Sequence, residues 1–272
     1  MSTKTRWFQE RQKEGYYRLA KKEGYRARSA YKLMQINDKY SILRDGAAVA
    51  DLGCAPGGWS QVLVEQVGSG GLVIGVDLQR VKAIPGARFL QGDFMRRETH
   101  ERLTALLAEA GRKELDTVVS DMAPDMSGNY ELDQVRSVQL GEMALDFACK
   151  HLREGGHFAC KVFEGADFQL FRTEVRSHFK SVYQYHPPAS RSSSSEVYLI
   201  AKGFKGKAPD EKVTKAKATA PKAGKPSAED ASEDADDGTW PGRRIATSSS
   251  QSTNRLLKGP GGPSECAGFR PS

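Results

Sequence analysis

A glycine-rich segment, Asp51-Leu52-Gly53-Cys54-Ala55-Pro56-Gly57-Gly58-Trp59-Ser60, stands where a short apolar run gives way to a helical pattern. Open α/β sheets bind ligands at the carboxyl ends of their strands, and glycines there let a ligand come close to the backbone. Asp77 closes the next apolar run, the usual place for a carboxylate that takes ribose hydroxyls. Asp93, in Gly92-Asp93-Phe94, and Asp121, in Ser120-Asp121-Met122, close two more. Asp93 could accept from an adenine amino group, with Phe94 packed on the ring. Any one of these acids alone reads equally well as a helix cap or a turn residue. Acids at successive strand ends beside a glycine-rich loop are harder to explain that way.

The loop also says which cofactor. A dinucleotide site needs G-x-G-x-x-G, and Gly53-Cys54-Ala55-Pro56-Gly57-Gly58 has no glycine two positions after the first. A pyrophosphate needs a bare helix N-terminus, which Pro56 and Trp59 fill here. A cofactor without phosphate is favoured, and S-adenosylmethionine fits.

The methyl acceptor is narrowed by elimination. Amino-group methylation of bases generally uses Asp/Asn-Pro-Pro-aromatic after the fourth strand, where this chain has Ser120-Asp121-Met122-Ala123-Pro124-Asp125. Cytosine-C5 methylation needs a nucleophilic cysteine in that region, and none is there; Cys54 reads as a packing residue of the loop. An oxygen acceptor remains. A ribose 2′-hydroxyl is a poor nucleophile that needs in-line placement and removal of a proton. Lys161 lies inside an apolar run, Ala159-Cys160-Lys161-Val162-Phe163, where a lysine wants either a partner or a path to solvent. Glu196 opens Glu196-Val197-Tyr198-Leu199-Ile200 and by itself reads better as a solvated edge charge.

These residues need a scaffold. Strands are expected at 47–52, 71–78, 88–92, 115–120, 156–163, 181–186 and 196–204, and helices at 60–67, 99–111, 131–152 and 167–179. Alternating strands and helices imply a parallel doubly wound sheet, and the last two strands imply a terminal antiparallel hairpin. That is an α/β, Rossmann-like architecture of seven strands, mostly parallel. The layout resembles class I methyltransferases.

Upstream, residues 1–44 interleave Arg6, Arg11, Lys13, Arg18, Lys21, Lys22, Arg26, Arg28 and Lys32 with Trp7, Phe8, Tyr16, Tyr17, Tyr25 and Tyr31. Cations neutralise phosphates and aromatics stack on splayed bases, so residues 1–27 are read as an RNA-contacting segment. Alternatively, the aromatics fasten the segment to the domain. The domain itself is expected at 28–204. Residues 205–272 are rich in Lys, Ala, Pro, Ser, Gly and Asp and are expected to lack a fold of their own. The net charge of +7 favours a polyanionic partner. None of the four cysteines forms a C-x-x-C pair, no zinc ribbon or other metal site is suggested, and no apolar run is long enough to span a membrane. A cytoplasmic monomer is the expectation.

Ser29-Ala30-Tyr31-Lys32-Leu33, Asp51–Ser60, Gln91-Gly92-Asp93-Phe94, Ser120-Asp121-Met122-Ala123-Pro124, Lys161-Val162-Phe163 and Ser195-Glu196-Val197-Tyr198 occur in this order. Together they resemble the FtsJ/RrmJ family of RNA 2′-O-ribose methyltransferases over roughly residues 10–204. The resemblance is strongest to the branch that methylates a uridine ribose in the A-loop of 23S ribosomal RNA. It implies a catalytic tetrad of Lys32, Asp121, Lys161 and Glu196, with Lys161 as proton acceptor. It also implies S-adenosylmethionine contacts at Gly57, Trp59, Asp77, Asp93 and Asp121, and 23S RNA within the large ribosomal subunit as partner. Methylation of transfer RNA or of a messenger cap, or a non-catalytic RNA-binding role in ribosome assembly, remain the alternatives.

Overall fold

The computed structural model describes residues 15–190 and 195–206. Seven strands form one sheet: β1 (Ala48–Leu52), β2 (Leu72–Asp77), β3 (Ala87–Gln91), β4 (Leu115–Ser120), β5 (Leu152–Phe163), β6 (Phe179–Tyr185) and β7 (Glu196–Phe204). Their order is β3-β2-β1-β4-β5-β7-β6. All neighbours are parallel except β7, which runs antiparallel to both β5 and β6. The hairpin expected at the chain's end therefore inserts its last strand between β5 and β6. The strand order reverses between β1 and β4, so the ligand crevice lies at the carboxyl ends of these two strands.

The period-two alternation of each strand feeds two separate cores. Ala48, Ala50 and Leu52 of β1 point to the face covered by α3 (Arg97–Glu109), α4 (Tyr130–His151) and α5 (Phe168–His178). Val49 of β1, with Val73, Val119, Ala159, Tyr198 and Ile200, points to the opposite face, covered by α1 (Ala30–Tyr40) and α2 (Gly58–Val67). By the same parity Asp51 and Lys161 belong to the α1/α2 side. This face carries the site.

Three elements differ from the sequence expectation, the helix of residues 15–23 among them. Helix α1 is absent from that expectation, because its buried stripe of Ala30, Leu33 and Ile36 is set in a stretch dense with charge and tyrosine. Strand β5 begins at Leu152, where the sequence pattern of 153–156 suggests a stop after α4. Gly155 adopts φ +77°, and the register with β4 shifts between Leu115 and Thr117. The Arg153-Glu154-Gly155 stretch is thus a bulge that lets the strand start directly from the helix.

Asp116 braces the far end of the sheet. It accepts from Ala48 N–H at 2.8 Å, Arg44 at 2.6 Å and Arg153 Nε at 2.7 Å, so it joins β1, β4 and β5. Burial alone would raise its carboxyl, but these donors outweigh burial and hold it below the usual carboxylate range. With the strands pinned there, their other ends are rigid supports for the site.

Much of the described basic segment is fastened down. Residues 15–23 are helical. Tyr16 and Tyr25 pack on Tyr31 with ring centroids 5.3 and 5.8 Å away. Tyr31 donates to Glu23 at 2.6 Å and Tyr25 to Glu65 at 2.7 Å. For these three tyrosines the fastening role holds, since their faces are spent on one another. Tyr17, Lys21 and Lys22 remain exposed. Trp7, Phe8, Arg6, Arg11 and Lys13, and the tail from 207 onward, lie outside the described residues.

Candidate active site

The turn from β1 into α2 needs its glycines. Gly53 and Gly57 adopt φ +68° and +106°, where a side chain is strained. A Cβ on Gly53 would sit 2.2 Å from Met122 Cγ, so the loop after β4 presses directly on the loop after β1. Arg26 clamps the turn from outside, donating to Pro56 O at 3.1 Å, Lys82 O at 2.8 Å and Ala83 O at 2.8 Å. Asp77 holds it from within: its Oδ2 accepts Ala55 N–H at 2.8 Å and its Oδ1 accepts Gln79 N–H at 2.7 Å.

Between the two loops lies a cleft with about 270 Å³ of empty space, lined by Ser29, Asp51, Gly53, Gly58, Trp59 and Asp121 among others. Two of its lining residues are acids and none is lysine or arginine. A cationic ligand would find two carboxyl groups there, while the wider hollow beyond Ala55 and Pro56 is lined by Arg26, Arg80 and Lys82. S-adenosylmethionine fits this donor set.

Beside the cleft two ion pairs meet. Lys32 Nζ, carried in by α1, lies 2.6 Å from Glu196 Oε1 at the start of β7. Lys161 Nζ, from β5, lies 3.0 Å from Asp121 Oδ1 at the end of β4 and also donates to the Asp121 backbone carbonyl. All four side chains are largely withdrawn from water, Lys32 and Lys161 to 8%, Glu196 to 12% and Asp121 to 19% exposure. Ser190 Oγ adds a bond to Glu196 Oε1 at 2.8 Å.

Tyr198 joins the two pairs. It lies opposite Lys161 across the antiparallel β5–β7 ladder and two residues beyond Glu196 on the same face. Its hydroxyl donates to Asp121 Oδ1 at 2.6 Å. Its ring stacks near Trp59, centroids 5.8 Å apart, and lies under Lys32 Nζ at 5.7 Å. Burial first, and then the charges of and bonds to Asp121 and Glu196, push its phenol well above the usual range. Tyr198 is therefore a fixed neutral donor. Trp59 is itself held by an Nε1 bond to Ser29 O at 2.8 Å. Burial also pushes the Cys54 thiol up, which leaves it an inert packing group.

The structure thus brings Lys32, Asp121, Lys161 and Glu196 together, and sets Trp59 and Asp121 in the wall of the cleft. Gly57 belongs to the loop but is not among the lining residues; a side chain there would meet Arg26 and Ile84. Asp77 and Asp93 are not among the lining residues; Asp77 buttresses the loop, and Asp93 Oδ1 accepts Met95 N–H at 2.9 Å. Phe94 is half-buried and meets Phe147 edge-to-face, ring centroids 6.1 Å apart. Sequence reasoning missed Tyr198 and the placement of Asp51. Tyr198 had a signal: with β5 and β7 as neighbours, alternation from Glu196 puts it on the face of Lys161.

A mostly parallel seven-stranded sheet with an inserted antiparallel strand, a glycine turn after β1 and an acid-lined cleft beside it together define a class I methyltransferase. Residues 25–204 match the model of the FtsJ-like methyltransferases, and the chain belongs to that family. It is 51% identical over 191 residues to the ribosomal RNA large subunit methyltransferase E of Methanothrix thermoacetophila, covering 70% of this chain and 72% of the relative. It is 48% identical over 197 residues to the protein of that name from Chromobacterium violaceum, covering 72% of this chain and 95% of the relative. A crystal structure of a protein described as a ribosomal RNA methyltransferase from Plasmodium falciparum superposes with a TM-score of 0.60 at 29% identity, over 67% of this chain and all of that one. The protein is an enzyme that transfers a methyl group from a donor cofactor. No helix among the described residues is long and apolar enough to cross a membrane.

Proposed function

We propose that the protein transfers the methyl group of S-adenosylmethionine to the ribose 2′-hydroxyl of a uridine in the A-loop of 23S ribosomal RNA, in the large ribosomal subunit. The observation that carries this reading is the convergence of Lys161, Asp121, Tyr198, Lys32 and Glu196 beside an acid-lined cleft. The relatives' names supply the RNA.

The cofactor, when bound, supplies an electrophilic methyl carbon. Asp51, Trp59 and Asp121 would line its site, with Asp77 and Asp93 at the flanking strand ends. Lys161 is the proton acceptor: its ammonium first gives a proton to solvent, and the neutral amine then takes the proton of the 2′-hydroxyl as the ribose oxygen attacks in line. The Asp121 carboxylate and backbone carbonyl then hold the resulting ammonium. Tyr198 fixes Asp121 in that role. Lys32, buried between Glu196 and the Tyr198 ring, keeps a positive charge beside the Lys161–Asp121 pair and would help to orient the ribose there. The basic segment up to residue 27 forms part of the RNA side through its exposed Lys21 and Lys22.

The test uses labelled methyl donor with purified large subunits, free 23S RNA and transfer RNA in parallel. Label in an alkali-resistant dinucleotide from 23S RNA supports the proposal. Label confined to transfer RNA, or found on a base, overturns the substrate reading.

A further inference from the structure

Asp51 lines the donor's site but takes no part in the proton transfer described above. It is 1% exposed, yet it lines the cleft beside Asp121. Ser60 Oγ, from the first turn of α2, donates to its Oδ2 at 2.7 Å. The ionisable groups around it are Asp77 from the end of β2, Asp121 from the end of β4 and Cys54 in the loop after β1. Behind Asp121 stand Lys161 from β5 and Tyr198 from β7, both bonded to Asp121 Oδ1. The cation among these groups is thus already engaged by another carboxylate. Burial raises the Asp51 carboxyl most; the Ser60 bond lowers it, Asp121 and Asp77 raise it further, and it is pushed up to about 7.

A buried carboxyl without a cation of its own, in the wall of a cleft, awaits positive charge. We propose that Asp51 senses the charge of the methyl donor: it releases its proton to solvent when a sulfonium enters the cleft, and so favours the cationic substrate over its neutral thioether product. This rests on the reading of S-adenosylmethionine as cofactor. After transfer the sulfur is neutral, Asp51 takes a proton back, and the attraction that held the donor is gone.

The sign of the linkage follows. The donor lowers the carboxyl's pKa from its value in the free protein, so donor affinity rises with pH across the interval between the bound and free values and levels off above about 7. Product affinity changes less over the same interval.

Isothermal titration of the full chain with S-adenosylmethionine and with S-adenosylhomocysteine, in buffers of different ionisation enthalpy, reads the released protons directly. Near neutral pH the donor is expected to release up to about half a proton and the product clearly less. In Asp51→Asn, which can still accept from Ser60, donor-linked release should vanish, and the donor-over-product preference should fall about tenfold, the equivalent of one pK unit of coupling. Wild-type measurements alone suffice if the variant fails to fold. Donor binding without proton release overturns the proposal. Equal release by donor and product also overturns it, because Asp51 would then answer to the ammonium that both ligands carry. Absence of any donor binding removes the cofactor reading itself and this inference with it.

Discussion

Replacing Tyr198 by phenylalanine removes one oxygen from the centre of the site and leaves the ring in place. The residue has no exposed surface, and its hydroxyl donates to Asp121 at 2.6 Å while lying within reach of Glu196. Hydrogen bonds to charged groups contribute roughly 1.5–3 kcal/mol each. Neither carboxylate is orphaned in the variant, since Lys161 stays 3.0 Å from Asp121 and Lys32 stays 2.6 Å from Glu196. The loss therefore sits at the low end, about 1.5–2 kcal/mol. For a domain of this size that corresponds to a fall in melting temperature of about 3–8 °C. Turnover should fall about 10- to 30-fold if a similar energy is lost from the positioning of Asp121 against Lys161. The KM for RNA should hold, because a buried hydroxyl touches no RNA. Calorimetric melting and steady-state kinetics on large subunits give both numbers. Unchanged melting and unchanged turnover would refute the linking role. A raised KM with intact turnover would place Tyr198 on the substrate instead.

Asp116→Asn should destabilise the fold by about 1–2 kcal/mol, because it weakens the charge-assisted bonds to Arg153 and Arg44 while both guanidiniums keep access to water. The Asp116 contribution is present above the unfolded carboxyl pKa of about 4 and fades as pH falls through the lower folded value, so the gap between wild type and variant should narrow in acid melts. Arg26→Ala releases three carbonyls around the glycine turn and should weaken donor binding in calorimetric titration, with little effect on RNA binding; the reverse pattern would make Arg26 an RNA contact. Lys21→Gln with Lys22→Gln should make the salt dependence of RNA binding shallower by about 0.7–0.9 for each phosphate no longer neutralised, without moving the melting temperature. An unchanged slope would put the RNA on another face.

The fold was legible because most strands carry their own apolar signal and the strands up to β6, the pair β2 and β3 aside, are interleaved with helical patterns, as a parallel sheet requires. The strand limits 115–120 and 196–204 coincide with β4 and β7. The tetrad was legible only through resemblance: Lys32 is some 164 positions from its partner Glu196, and no local pattern links them. Helix α1 was hidden because Lys32, Lys39 and Tyr31 dilute its apolar stripe, although Lys32 is itself buried against the site. The double use of the N-terminal tyrosines could not be read either. A tyrosine free to meet a ligand and one that packs on another tyrosine look alike until their neighbours in space are known; Tyr31 is packed on Tyr16 and Tyr25, whereas Tyr17 is exposed.

The most direct test of the central claim, that Lys161 paired with Asp121 drives transfer to a ribose oxygen, is single-turnover methylation of large subunits by Lys161→Ala and Lys161→Arg. Transfer should slow by roughly 100- to 10,000-fold in the alanine variant while donor affinity and folding persist. The arginine variant should not rescue it, because a guanidinium stays protonated. An arginine variant with near wild-type rate would contradict proton abstraction by Lys161 and leave it a role in holding charge alone.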